Sequence, residues 1–234
     1  MIFADYHTHT VYSHGTGTPE ENVQAAIKRG LCAIAISEHG PGHLFYGVRL
    51  SHLIALRKEV DRLAEKYAGQ IQVLMGIECN LTADGRCDLP IGKNAPPFDV
   101  KLLAYHKGVL PRDGFCFARS LEAMAKGKPD PVRTANALLH AAEKYHINMF
   151  SHPNLYVEAD IHMLAKGAKD LGVLLELNSA RTTMSIEQIQ EAAWLGASFV
   201  IGSDAHSPSR VGDFELGLQA ATLAGVIDRV SNNK

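Results

Sequence analysis

Two close pairs of metal-seeking side chains stand far apart in the sequence: His7 and His9 in Asp5-Tyr6-His7-Thr8-His9, and Asp204 and His206 in Gly202-Ser203-Asp204-Ala205-His206. In an extended strand, residues two apart project from one face, so each pair can aim two ligands into a single cavity. Imidazole mixed with carboxylate is the donor set expected of zinc, iron or manganese. Sharing one metal site would require a fold that brings the two pairs together.

More candidates punctuate the chain between them. His14 follows the first pair, and Glu38-His39-Gly40, Gly76-Ile77-Glu78, Tyr105-His106-Lys107, Ser151-His152-Pro153 and Glu176-Leu177-Asn178 each close a short apolar run. A single histidine is more often a surface or hydrogen-bonded residue than a ligand. A set placed after consecutive apolar runs points instead to one shared site. His52, His140, His146 and His162 lie in or beside helical patterns and are expected at the surface, whereas His43, in the loop after His39, is placed to line the mouth of a pocket.

The elements that must position these residues follow from hydrophobic periodicity. Runs at 2–6, 32–37, 71–77, 98–105, 147–151, 173–177 and 198–202 read as strands. Helices are expected at 19–29, 51–67, 130–144, 159–171, 185–195 and 214–224, with Thr18 capping the first ahead of Pro19 and Gly30, Gly172 and Gly196 as stops. In the second helix Leu53, Leu56, Val60, Leu63 and Tyr67 make one apolar stripe, as an outer-layer helix requires. Strand and helix alternate, which predicts an α/β fold with parallel strands. A (β/α)7-type barrel has its catalytic face at the strand C-termini, where every candidate sits. An open doubly wound sheet is the alternative, but no Gly-x-Gly-x-x-Gly or Walker loop follows the first strand. The stretches 40–49, 81–97 and 111–129 read as irregular loops that would set substrate choice.

No linker, low-complexity tract or short repeat divides the 234 residues, so one domain spanning 1–234 is expected. A net charge of −2 without a polybasic stripe makes nucleic acid an improbable partner and favours a small substrate. No apolar run is long enough for a membrane span and the start lacks a signal-peptide pattern, so a cytoplasmic location is expected. Cys32, Cys79, Cys87 and Cys116 form no Cys-x-x-Cys pair; they read as reduced thiols, Cys32 in the core.

Taken in order, His7-Thr8-His9, His14, Glu38-His39-Gly40, Gly76-Ile77-Glu78, His106, Ser151-His152-Pro153 and Gly202-Ser203-Asp204-Ala205-His206 resemble the motif set of the polymerase and histidinol phosphatase (PHP) family. The resemblance spans residues 7 to 206. It implies a distorted (β/α)7 barrel holding three divalent metal ions on nine ligands. His7, His9, Glu78 and Asp204 would hold the first ion, and Glu78 would bridge to a second on His106 and His152. His14, His39 and His206 would hold the third. His14 lies in a Ser-His-Gly-Thr-Gly loop whose length varies among such proteins.

Such a centre suits phosphoester hydrolysis. Two ions sharing a carboxylate can bind a bridging hydroxide near neutral pH and clamp an in-line displacement at phosphorus. On that reading His7, His9, Glu78 and Asp204 act catalytically through the metals, and Arg181, Arg210, Lys107 and His43 are candidates to bind substrate. Asp5 and Glu38 are expected to fix histidine tautomers from behind. No Gly-x-Ser-x-Gly elbow is present, which disfavours a serine nucleophile. The expected activity is a phosphatase on small phosphomonoesters, histidinol phosphate among them. Competing readings are a phosphodiesterase or 3′–5′ exonuclease, an amidohydrolase, and a metal-stabilised scaffold without activity.

Overall fold

A computed structural model describes residues 1–233. The main strands are β1 (Ala4–Thr8), β2 (Ala33–His39), β3 (Gln72–Ala83), β5 (Val100–Ala104), β6 (Met149–Phe150), β7 (Leu174–Asn178) and β8 (Phe199–Gly202), and each pairs in parallel with its neighbour on this path. Short β4 (Arg86–Cys87) turns back antiparallel on β3. Among the described residues, the edges β1 and β8 are joined in the ladder only by an isolated parallel bridge from Thr8 to Ala205, just past β8. The sheet is therefore a distorted (β/α)7 barrel, nearly closed, with a thin seam.

Helices α1 (Pro19–Lys28), α2 (Leu50–Lys66), α3 (Gly114–Ala123), α4 (Pro131–Tyr145), α5 (Ile161–Leu171), α6 (Ile186–Trp194) and α7 (Glu215–Ala224) surround it. Thr18 caps α1 in a reciprocal box with Glu21, and Ser185 does the same for α6 with Gln188. Leu53, Leu56, Val60 and Leu63 of α2 are fully buried, as their spacing predicts. Adjacent Leu102 and Leu103 fall in different apolar clusters, because alternate strand residues face opposite sides. Leu103 joins the large core beneath the helices, while Leu102 meets Met149, Val200, Tyr6 and Leu174 from other strands.

Three expectations need correction. The stretch 81–97 is not wholly irregular: β3 runs on to Ala83 and returns through Gly85, in the left-handed region at φ 65°, into β4. The stretch 111–129 contains α3, capped by Asp113, whose carboxylate accepts the Cys116 N–H. Cys32 is exposed rather than in the core; Leu31 takes the buried position there, and Cys79, Cys87 and Cys116 are the buried thiols. His52, His140, His146 and His162 are exposed.

Candidate metal centre

Strand register assembles the cluster. His39 pairs directly with Glu78 across β2 and β3, and the Thr8–Ala205 bridge sets His7 and His9 beside Asp204 and His206. His7 Nε2 and His9 Nε2 lie 3.2 Å apart, and each is 3.5 Å from Asp204 Oδ1. Glu78 approaches the same point, with Oε1 3.3 Å from His7 Nε2 and Oε2 3.5 Å from His9 Nε2. On its other side Oε1 lies 3.3 Å from His106 Nε2 and 2.8 Å from His152 Nε2, and these two nitrogens are 3.2 Å apart. Tetrahedral zinc with ligand bonds of ~2.0–2.2 Å separates its ligand atoms by roughly 3.3 Å, so both groups have the spacing of a coordination shell.

His9, His39 and His206 form a further group of potential ligands, and His39, Glu78 and His106 another. His14 lies against them, its ring centroid 4.8 Å from that of His39 and 4.1 Å from that of His206. All nine residues implied by the family resemblance thus meet in one place.

Hydrogen bonds fix several tautomers. The Glu176 carboxylate can only accept, so His7 donates through Nδ1–H to Oε1 at 2.7 Å and turns Nε2 toward the cluster. Asn80 gives its amide N–H to Asp88 Oδ2 at 2.6 Å, so its oxygen accepts the Nδ1–H of His106 at 2.7 Å. His206 donates Nδ1–H to the Asp204 carbonyl at 2.9 Å. Ser151 gives its hydroxyl to Glu78 Oε1 at 2.8 Å.

Other atoms are left in a state that suits a cation. Among the described residues, buried Glu78 Oε2 and His39 Nδ1, which face each other in the cluster, have no hydrogen-bond partner. His39 Nδ1 lies 3.1 Å from Glu78 Oε2 without hydrogen-bond geometry. An unsatisfied buried polar atom costs about 1–3 kcal/mol, a cost that a shared positive ion would offset. The donor chemistry and these orphaned atoms therefore fit divalent metal.

The electrostatics agree. Burial holds His9 well below the usual histidine range, His106 down at about 4 and His14 at about 3, which keeps these rings neutral. Burial also acts on His7, but Glu176, Glu78 and Asp204 outweigh it and raise its pKa well above the ordinary value. Against their own burial, Glu78 is held well below the carboxylate range by His106, His7 and His152, and Asp204 by His7 and His9.

The backbone is strained where two ligands must turn inward. His152 has φ 31° and Asp204 φ 49°, both in the left-handed region that non-glycine residues avoid. Strict alternation from Phe150, which faces the helices, would aim His152 outward. Strain of this kind concentrates at functional sites.

The cluster floors a cavity of about 620 Å³, whose lining includes His43, Phe45, Tyr46, Lys107, Tyr156 and Arg181. The His43 Nδ1 accepts the N–H groups of Phe45 and Tyr46 at 3.2 and 3.1 Å, pinning that loop. Arg210 does not join them. Its guanidinium is held by Asp213 at 2.6 Å and by the Ser179 carbonyl at 3.2 Å, so the residue braces a loop.

Asp5 and Glu38 also differ from expectation. The β1 register shifts between Asp5 and Thr8, and Asp5 accepts the N–H groups of Ser203 and Gly212 rather than a ring. Glu38 lies opposite His39 on its strand and accepts from the Thr10 N–H and the hydroxyls of Thr10 and Ser13, 4.0 Å from His9 Nδ1. Glu176 and Asn80 do the orienting instead. The signal for Glu176 was a charged residue inside the apolar run Leu174-Leu175-Glu176-Leu177; Asp88, in a stretch read as loop, offered none.

A parallel barrel with a histidine and carboxylate cluster at its strand C-termini defines a class of metal-dependent hydrolases. Residues 5–180 match the PHP domain, and the chain belongs to that family. A probable phosphatase of Thermoanaerobacter sp. is 29% identical over 243 residues, covering 97% of this chain and 88% of the relative. One of Aeromonas hydrophila is 30% identical, covering 94% and 85%. In fold the chain is similar to the histidinol phosphate phosphatase of Lactococcus lactis, solved with zinc, L-histidinol and phosphate. The TM-score is 0.63 at 17% identity, with 96% of this chain and 93% of that chain covered. No helix among the described residues is long and apolar enough to cross a membrane.

Proposed function

We propose that the chain is a metal-dependent phosphatase of small phosphomonoesters, its catalytic domain spanning 1–234. The observation that carries this is Glu78: its carboxylate lies within 3.5 Å of His7, His9, His39, His106 and His152, so one anion faces two adjacent ligand groups. His7, His9, Glu78 and Asp204 would hold one ion, Glu78 with His106 and His152 a second, and His14, His39 and His206 a third; zinc, manganese and iron all suit these donors. Bound ions would supply an acidified water as nucleophile and positive charge to offset the dianionic ester.

The chain's own residues do the rest. Glu176, Asn80 and Ser151 orient the ligands, and the strained backbone at His152 and Asp204 holds two of them inward. Lys107, Arg181 and His43 at the cavity wall bind substrate. The names of the curated relatives support a phosphatase, and a cavity of about 620 Å³ with only two cationic side chains on its wall among the described residues supports a small ester over a polynucleotide.

The test is turnover by protein loaded with zinc, manganese or iron on p-nitrophenyl phosphate and a monoester panel that includes histidinol phosphate and nucleotides. Monoesters are expected to be hydrolysed, with activity and bound metal both lost in Asp204→Ala and His106→Ala. Preference for bis(p-nitrophenyl) phosphate or single-stranded DNA would replace this reading with a phosphodiesterase or exonuclease. Stoichiometric metal with no phosphoester turned over would favour a scaffold.

A further inference from the structure

The two cations lining the cavity are unpaired. Lys107 and Arg181 are exposed and form no ion pair among the described residues, whereas Arg57, Arg62, Arg119, Arg133 and Arg210 each meet a carboxylate. Both line the cavity together with Tyr156. Lys107 Nζ lies 5.4 Å from the centroid of Tyr156, and the Arg181 charge acts on the Tyr156 hydroxyl, whose pKa burial raises. Asn178 Oδ1 accepts the Arg181 N–H at 3.0 Å, fixing the start of that side chain. Among the described residues, the only carboxylates lining the cavity are Glu78 and Asp204, both engaged by histidines on its floor. No acidic side chain is left to receive an amino group.

A phosphoryl group on the floor would have its charge met by the cluster, and the esterified alcohol would extend past Tyr156 toward the unpaired cations. We infer that Lys107 and Arg181 bind a second anionic group on the alcohol that leaves. The preferred substrates are then phosphomonoesters of acidic alcohols, not of neutral or amino alcohols. In the absence of substrate the Tyr156 ring face holds Lys107 by a cation–π contact. This rests on the phosphatase reading above and narrows it.

The experiment reads binding separately from turnover, on metal-loaded protein, using phosphonates that cannot be hydrolysed. Phosphonopropionate, propylphosphonate and aminopropylphosphonate share a skeleton and differ in terminal charge. Calorimetry is expected to show the carboxylate binding about tenfold tighter than the neutral compound, the effect of two partly exposed charge pairs, and the amine weaker than either. Ethylenediphosphonate in the same series tells whether carboxylate or phosphate is the better second group. In Lys107→Gln and Arg181→Gln the ratio of carboxylate to neutral affinity is expected to collapse toward one.

Equal affinity across the charge series overturns the inference. So does a uniform loss in both variants with the ratio intact, which would put the cations on the reacting phosphoryl group. Turnover of ethyl phosphate and phosphoglycolate separates this from the phosphatase reading. Hydrolysis of both without preference sinks the inference alone; hydrolysis of neither, with the binding preference intact, sinks the phosphatase reading alone.

Discussion

Asn80 and Asp88 hold each other by three hydrogen bonds, from the Asn80 backbone N–H to Oδ1 at 2.7 Å, from its side-chain amide to Oδ2 at 2.6 Å and from the Asp88 N–H to the Asn80 carbonyl at 3.2 Å. With its amide committed, Asn80 turns its oxygen to His106 Nδ1. Asp88 also accepts the Gly42 N–H at 2.7 Å, and a Cβ on Gly40 would overlap its carboxylate. One hairpin carboxylate therefore orients a ligand ring and anchors the loop that carries His43.

Asp88→Asn would turn one acceptor into a donor facing N–H groups. A fall in metal affinity of about 10–100-fold is expected, the usual effect of losing a partner behind a ligand. Chelator competition measures it, and an unchanged circular dichroism spectrum would show that the fold survives. Native-like affinity would remove Asp88 from the account.

Glu176 accepts His7 Nδ1–H on one oxygen, and the His152 N–H at 2.7 Å and the Asn178 amide at 3.0 Å on the other. Glu176→Ala leaves the His7 Nδ1–H and the His152 N–H buried and unpaired, at about 1–3 kcal/mol each, while the Asn178 amide keeps Asp204 as acceptor. Urea unfolding of the metal-free protein should show a loss of that order, with metal affinity falling in parallel.

Gly202→Ala tests the same corner by steric means. The added Cβ would overlap Glu176 Oε1 and come within 3.0 Å of His7 Cβ. Metal content is expected to drop in Gly202→Ala but not in Gly69→Ala, where nothing lies within 4 Å and only the positive φ is strained. Equal metal content in the two would show that the corner can yield.

Acid should destabilise the metal-free protein in a defined window. An unfolded histidine takes up its proton near 6.5, but folded His106 waits until about 4 and His14 until about 3. Between those limits the unfolded state binds more protons, so stability from these groups falls as pH falls from 6.5 toward 4. His7 and His152, with raised values, work in reverse: their contribution is complete below 6.5 and lost as pH rises through the folded pKa. Denaturant midpoints across this window in chelator should slope downward with acid, and His106→Gln should flatten the slope.

The barrel was legible because its cause is repetitive. Apolar runs alternating with periodic helices leave few topologies, and helix α2 announced its buried face at Leu53, Leu56, Val60 and Leu63. The ligand residues were legible for a related reason, since strand ends in such a fold converge. Residues that support the ligands were harder to read. Asp88 is in a hairpin too short for periodicity, and α3 begins at a glycine in a stretch rich in turn residues. Asp5 was misplaced because the register of β1 shifts between Asp5 and Thr8, which a sequence pattern does not reveal. Arg210 was misplaced because a nearby Asp213 competes for its charge, which depends on loop geometry.

The seam between β1 and β8 gives the centre a temporal meaning. On the ribosome, His7 and His9 emerge long before the segment that supplies their opposite donor, Asp204. A nascent chain arrested before that point can already form most strands, yet it lacks one side of the cluster. The complete cluster therefore forms only once synthesis has passed Asp204 and the barrel's two edges have met.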